Sequence, residues 1–298
     1  GYVNDSSVRD RTRFLASGRL GAQGIWDVSQ LVGSRERRRI AAEVVLTDVD
    51  MATGRKFSDV IVCTRSNFDS HGTTIGDLGL IPEPGSWLRE GVVPYRALLP
   101  QGLDNLLVAG VGLGVTRDAL PIVRMQPDVQ NTGYAVGCAA ALAATRGGNC
   151  RSVDVKALQR KLIREGRLTE KALTWTDRIV SDDALAQAVR SIADDYRGAA
   201  LALSERTRAI PLLKAAFAAA KETTARFRYA HVLGVLGEND GAELLADWIR
   251  GRIAVPEPNL TKRPPYARRF DYRQSILIAL GRTKRPVAAE VLCECAEK

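Results

Sequence analysis

Residues 106–144, LLVAGVGLGVTRDALPIVRMQPDVQNTGYAVGCAAALAA, concentrate the backbone features that could do chemistry in this chain. An aliphatic run leads into Gly110, Gly112 and Gly114, and a segment made almost wholly of small residues follows. Pro127 sits where a helix would begin, a position at which its missing N–H costs nothing. Gly133 and Gly137 then fall four apart, on one helical face. Glycine inside a helix costs roughly 1 kcal/mol relative to alanine, so two together predict a neighbour in close approach. The start of such a helix offers free amides and the positive end of the dipole, suited to an anion or an electron-rich ring edge. Two readings fit the pattern equally: a helix end that holds a ligand, or a helix packed tightly on a sheet.

A dinucleotide fingerprint, G-x-G-x-x-G, needs a strand before it, a helix at once after it, and an acidic residue about 20 positions on. Here Val115 to Val123 intervene before the helix, and RGGNCRSVDV follows it. The turn at Gly110 is therefore not a primary dinucleotide site.

The surrounding elements divide into two kinds. Up to residue 168, strand-like runs alternate with Gly/Pro turns and short helices; AAEVVLTDVD and NLLVAGV have the aliphatic density of buried strands. SVDVKALQRKLIREGRL begins with a Ser152-x-Asp154 cap and places Val155, Leu158 and Leu162 at helical spacing before Gly166. From 181 onward the pattern is helical throughout, with Gly and Asp-Gly punctuation. VLGVLGENDGAELLADWI rhymes with LIALGRTKRPVAAEVLCECA at an offset of 44 residues, from Gly237 to Gly281. That offset lies within the ~40–47-residue period of HEAT-type helical pairs. The expected organisation is an α/β domain over 1–168, a linker over 169–180 and an all-α HEAT-like repeat domain over 181–298. VPEPNLTKRPPYARRFDYR reads as a surface insertion between repeats, and His231, within a repeat helix, as a structural residue.

Composition limits the function classes. The chain has 298 residues, 45% hydrophobic and 26% charged, as in a soluble globular protein. No apolar run is long enough to cross a bilayer. Ten of the basic residues behind the net charge of +9 lie between Arg250 and Arg285, against Glu257 and Asp271 alone. A solvated loop is the expectation for that run, with nucleic acid not an expected partner. The five cysteines, at 63, 138, 150, 293 and 295, form neither a disulfide framework nor a zinc site. Reduced thiols point toward the cytoplasm, and no metal is expected.

Several long motifs in order resemble the C-terminal part of FAD-dependent oxidoreductases of the glutathione-reductase-like, two-dinucleotide-fold plan. GSRERRRIAAEVVLTDVDMATGRKFSDVI, VPYRALLPQGLDNLLVAG, IVRMQPDVQNTGYAVGCAAALA and VDVKALQRKLIREG carry the likeness, through 33–168. The resemblance implies a Rossmann-like α/β flavoprotein fold with FAD as cofactor. It places Gly110 and Gly112 along the flavin and points the helix start, from Pro127 through Gln130 to Gly133, at the isoalloxazine. Arg124, Met125 and Gln126, just ahead of that helix, join the implied cofactor contacts, Arg124 as an anion partner.

FDSHG resembles the family's D-x-H element, which implies Asp69 and His71 as an acid/base pair beside the flavin; a histidine of near-neutral pKa suits proton transfer coupled to hydride movement. Arg117 stands where the family commonly has a catalytic-side histidine, and Val111 where it commonly has arginine. Arg35 and Arg38 are implied at an interface with the cofactor domain. The family's glycine fingerprint for the ADP moiety is not supplied by residues 1–32. The resemblance thus implies a partner, a segment or polypeptide bearing the N-terminal GxGxxG half, in a heteromeric or cleaved flavoenzyme acting on a small organic substrate. The alternative is a non-catalytic helical-repeat scaffold whose flavin site is degenerate.

Overall fold

The computed structural model describes residues 7–21, 38–66, 68, 70, 72–82, 90–145, 147–258, 267–268 and 270–297. Arg35 lies outside them, as do Asp69 and His71. Residues 1–38 and 39–298 form separate compact units. In the first, α1 (Val8–Gly21) opens where Ser7 Oγ accepts the Asp10 amide at 3.2 Å.

The second unit begins with α2 (Asp48–Ala52), nucleated by a capping box. Thr47 Oγ1 accepts the Asp50 amide at 3.0 Å, and Asp50 Oδ2 accepts the Thr47 amide at 2.9 Å, so two orphan donors are satisfied reciprocally. β1 (Val60–Arg65) and β2 (Gly72–Thr73) precede α3 (Asp77–Leu80) and β3 (Glu90–Pro94). β1 pairs antiparallel with β3, from Val60 opposite Pro94 to Arg65 opposite Glu90. After a 3₁₀ turn at Gly110–Gly112 come α4 (Leu120–Val123), α5 (Gln126–Ala144) and α6 (Val155–Arg164). The described residues are mostly helical, and their named strands make only two two-stranded pairings.

The two segments expected as buried strands are not strands. AAEVVLTDVD is tied down by single bridges, Ala42 to Pro100 and Leu46 to Val115, and its end winds into α2. In NLLVAGV, Val108 donates to the Leu98 carbonyl at 2.9 Å and no ladder forms. Aliphatic density reports burial, but a strand also needs a continuous lateral partner. Among the described residues neither segment has one, and Val45 and Leu106 stay exposed at 44% and 45%.

Helices follow where local signals are strong. Asp154 caps α6 by accepting the Ala157 amide at 3.0 Å, and Gly166 ends that turn at φ +68°, a left-handed conformation that glycine adopts without strain. Beyond 181 run α7 (Asp182–Asp195), α8 (Ala199–Ser204), α9 (Arg206–Ala219), α10 (Thr223–Leu236) and α11 (Ala242–Ile249). The short β4 (Ala267–Arg268), α12 (Tyr272–Arg282) and α13 (Pro286–Ala296) complete the chain.

Two apolar clusters fill this unit. One joins Leu46, Met51, Phe57, the β1 and β3 valines, Ile122 and the inner face of α5 to Leu158 and Leu162. The other runs through α7–α13 and also takes in Val49, Leu78, Leu80 and Ile81. Residues two apart in α2, Val49 and Met51, therefore feed different cores. The region between the glycine turn and the C-terminal helices is bound on both sides, and that region positions the site.

Candidate functional site

The segment 65–73, which carries Asp69 and His71, is pinned at both ends. Where β1 stops, it packs against α5, whose first turn carries the buried Asp128. Ser66 Oγ donates to the Pro121 carbonyl at 2.7 Å and accepts the Phe68 amide at 3.1 Å. Phe68 is buried at 1% exposure with φ +57°, a left-handed conformation that costs a bulky residue of the order of 1 kcal/mol or more. At the far end Arg117 Nη1 donates to the Thr73 carbonyl at 2.8 Å. β2 there runs parallel to β4, so the basic insertion reaches the residues just after His71.

Arg117 is also bonded to Asp118 Oδ1 at 2.9 Å, while Asp118 Oδ2 accepts the Ile75 and Gly76 amides at 2.6 and 2.5 Å. Asp77, one residue on, pairs with Arg282 of α12 at 2.6 Å. These groups border a cavity of about 480 Å³ lined also by Thr47, Asp48 and Thr116. Arg117 thus works in the structure as a strut between the 73–76 loop and Asp118. Asp48 faces Asp118 across Gly76. A Cβ added to Gly76 would lie 3.0 Å from an oxygen of each carboxylate. Burial first, and the Asp118 charge second, push the Asp48 carboxyl up to about 7.

The glycine turn and the start of α5 meet. Gly110 has φ +71°, and a Cβ there would sit 3.8 Å from Val129 Cγ1, in the first turn of α5. Gly112 accepts the Ile40 amide at 3.0 Å. The close approach in this turn falls at Gly114, where a Cβ would overlap the Ala42 methyl and come within 2.6 Å of the Val44 carbonyl oxygen. Neither partner can yield without moving backbone, so Gly114→Ala is expected to cost about 2–3 kcal/mol. Urea denaturation would show it, and an unchanged midpoint would refute the packing.

α5 starts from Met125, which is extended and makes no side-chain cap, with Pro127 in the first turn. Of the amides in that turn, those of Gln126 and Asp128 have no acceptor within the helix, while Val129 donates to the Met125 carbonyl at 2.9 Å. Asp128, Thr132, Ala135, Ala139 and Ala143 face inward and are buried. Gln126, Pro127, Gln130, Gly133, Gly137 and Ala140 are exposed, and Arg124 and Met125 half-buried. A Cβ at Gly133 or Gly137 would meet nothing within 4 Å. The neighbour that two helical glycines predict is not among the described residues of this chain. The structure brings Gly110, Gly112, Gln126, Pro127 and Gln130 to one end of α5, and leaves Gly133 further along its open face.

A family model, FAD dependent oxidoreductase, matches residues 8–162, just over half of the chain. The chain belongs to that FAD dependent oxidoreductase family. No curated protein and no solved structure gives a match. Membership makes FAD the cofactor and a nucleotide-binding fold the framework. The residues of this oxidoreductase fit such a group on three counts: a turn whose Gly110 adds no side chain, an uncapped helix start beside it, and an open face at Gly133 and Gly137. Among the described residues, no three His, Cys, Asp or Glu side chains converge as a metal site, and no helix is long and apolar enough to cross a membrane.

Asp48, Asp118 and Asp128 are the site groups that sequence reasoning passed over. Thr47 could have flagged α2, yet nothing in the spacing announces that Asp48 meets Asp118, 70 positions away.

Proposed function

We propose that this chain is the C-terminal part of a flavin-dependent oxidoreductase acting on a small organic substrate, with its GxGxxG half supplied by another segment or polypeptide. The observation that carries the reading is the start of α5, uncapped, set against the bare Gly110 turn, and continued by a glycine face that no described residue covers. FAD, when bound, supplies the two-electron chemistry. The chain's own part is positional and electrostatic. Gly110 and Gly112 would leave room beside the flavin, and the amides of Gln126 and Asp128 would stabilise negative charge there. Arg124, Met125 and Gln126 lead the chain to that edge. Asp69 and His71 move a proton between substrate and solvent, while Arg117 holds Thr73 and with it the end of their segment.

The glutathione-reductase-like, Rossmann-type plan is part of this proposal, as is a HEAT-like domain over 181–298 joined through 169–180 to the flavin part in 1–168. Support for the repeats comes from the packing of α10 on α12 and of α11 on α13, two helical pairs that follow the 44-residue offset. Gly237 closes α10 in a left-handed C-cap at φ +84°, whereas Gly281 lies within α12, so the two copies end their first helices differently.

Two measurements test the reading. Flavin absorbance of the protein purified with its natural partners should be stoichiometric, and a colourless complex would end the enzyme assignment. Gly137→Ala should stabilise the isolated chain by about 0.5–1 kcal/mol, since nothing opposes the methyl there. The same substitution should weaken assembly of the flavin-bearing complex. Equal assembly of both proteins would show that the face is not used.

A further inference from the structure

Asp128 is the only charged residue in α5, and it lies in the first turn, on the buried side. It is 6% exposed. Its Oδ2 is buried without a hydrogen-bond partner. A negative charge in the first turn is favoured by the helix dipole. A buried oxygen with no donor is disfavoured more strongly. Burial wins, and the carboxyl is pushed up to about 6.

The charged groups on the elements around it do not decide this balance. Arg65 ends β1, and Arg124 precedes the helix. Arg151 is bound to Asp104, Lys156 to the Ser58 and Leu173 carbonyls, and Lys161 to Glu165. Burial raises the carboxyl, and the nearby Arg65 amide opposes it only in part.

We propose that Asp128 switches the charge at the start of α5, and so makes the reduction of the bound flavin respond to pH through a buried, unpartnered carboxyl. The inference rests on the flavin reading above. With Asp128 neutral, the exposed amides present the full positive end of the helix. With Asp128 ionised, that end is partly cancelled, and negative charge on the reduced ring gains less. Two electrons delivered by an added reductant then raise the share of Asp128 carboxyls that take a proton from solvent onto Oδ2, by at most about half a proton for a tenfold coupling. The electrons stay on the flavin, and no bond other than O–H forms at the aspartate.

The test uses the purified flavin-loaded complex, with wild type, Asp128→Asn and Asp128→Ser titrated against a reference dye from pH 5 to 8. Asparagine keeps the shape of the side chain without its charge, and serine is the second variant should asparagine fail to fold. At pH 8 the variant should favour the reduced flavin on the order of tenfold over wild type, about 30 mV for a two-electron couple, with the difference shrinking as pH falls through 6. The two curves should converge at pH 5. Parallel curves would overturn the proposal. Thermal unfolding of the chain without flavin supplies a separate readout, because the stability difference between wild type and variant should bend between pH 4 and 6. A bend there with unchanged potentials would overturn the proposal and leave the flavin reading standing. A complex of either protein that carries no flavin would overturn both.

Discussion

Asp48→Asn is expected to stabilise the protein strongly at pH 8 and hardly at all at pH 4. Asp48 is 7% exposed, and Asp118 presents a second carboxylate to it across Gly76. The Ile75 and Gly76 amides and Arg117 all bind Asp118, whose charge opposes ionisation of Asp48. Asp48 therefore keeps its proton up to about 7, against 3.8 in the unfolded chain. The folded state thus binds more protons than the unfolded state between those values, and stability falls as pH rises through the window. At 1.36 kcal/mol per unit the ceiling is roughly 4 kcal/mol, and relaxation of the exposed cavity wall brings the expected gain at pH 8 to about 2–3 kcal/mol. Asparagine cannot ionise, so it removes this cost while still offering an oxygen to the amides at the start of α2. Urea denaturation at pH 8 and pH 4 measures the difference. Equal effects at both would mean that Asp48 ionises in the fold as readily as in the unfolded chain.

That carboxyl pair also shows where the sequence stops being informative. α6 was legible because its cap, its apolar spacing and its stop at Gly166 all lie within a few residues of one another. The same holds for the helices beyond 181. The two expected strands failed because aliphatic density is local whereas a ladder partner is not. Gly133 and Gly137 predict a close neighbour that no described residue supplies, while Gly114, in the turn before them, is pressed against Ala42 and Val44. Which glycine is crowded depends on what the remote chain brings to it, and spacing within one segment does not record that. The link between α5 and the glycine turn was implied by family resemblance and appears in the structure as the contact of Gly110 with Val129. The roles of Asp69 and His71 rest on resemblance, since both lie outside the described residues. Asp48 and Asp128 carried no signal at all, for their altered acidity comes from burial and from groups distant in sequence.

His231→Phe is expected to reverse its effect on stability with pH. The sequence marked His231 as structural, and the structure shows what it does. Its ring is fully buried, with Nδ1 at 3.0 Å from the Tyr196 hydroxyl, which is itself 2.8 Å from the Tyr272 hydroxyl. The two tyrosine rings meet the imidazole edge-on, at centroid distances of 5.5 and 5.8 Å, so three helical segments close around one polar chain. Nε2 is buried without a partner. An imidazolium there would leave an N–H unsatisfied in an apolar core, and burial lowers the pKa from 6.5 to about 3. The unfolded chain therefore binds more protons between those values. The stability associated with neutral His231 is complete above 6.5 and is lost as pH falls toward 3. The full loss has a ceiling of roughly 5 kcal/mol at 1.36 kcal/mol per unit. Asp48 and Asp128 tilt the wild-type profile the other way over part of this range, so the informative quantity is wild type minus variant. At pH 7.5 phenylalanine should cost about 1 kcal/mol for the lost hydrogen bond, with Tyr196 still held by Tyr272. At pH 4 the variant should be the more stable protein by about 2 kcal/mol. A difference that does not change with pH would place the imidazole in contact with water, and the polar chain linking α7, α10 and α12 would have to be redrawn.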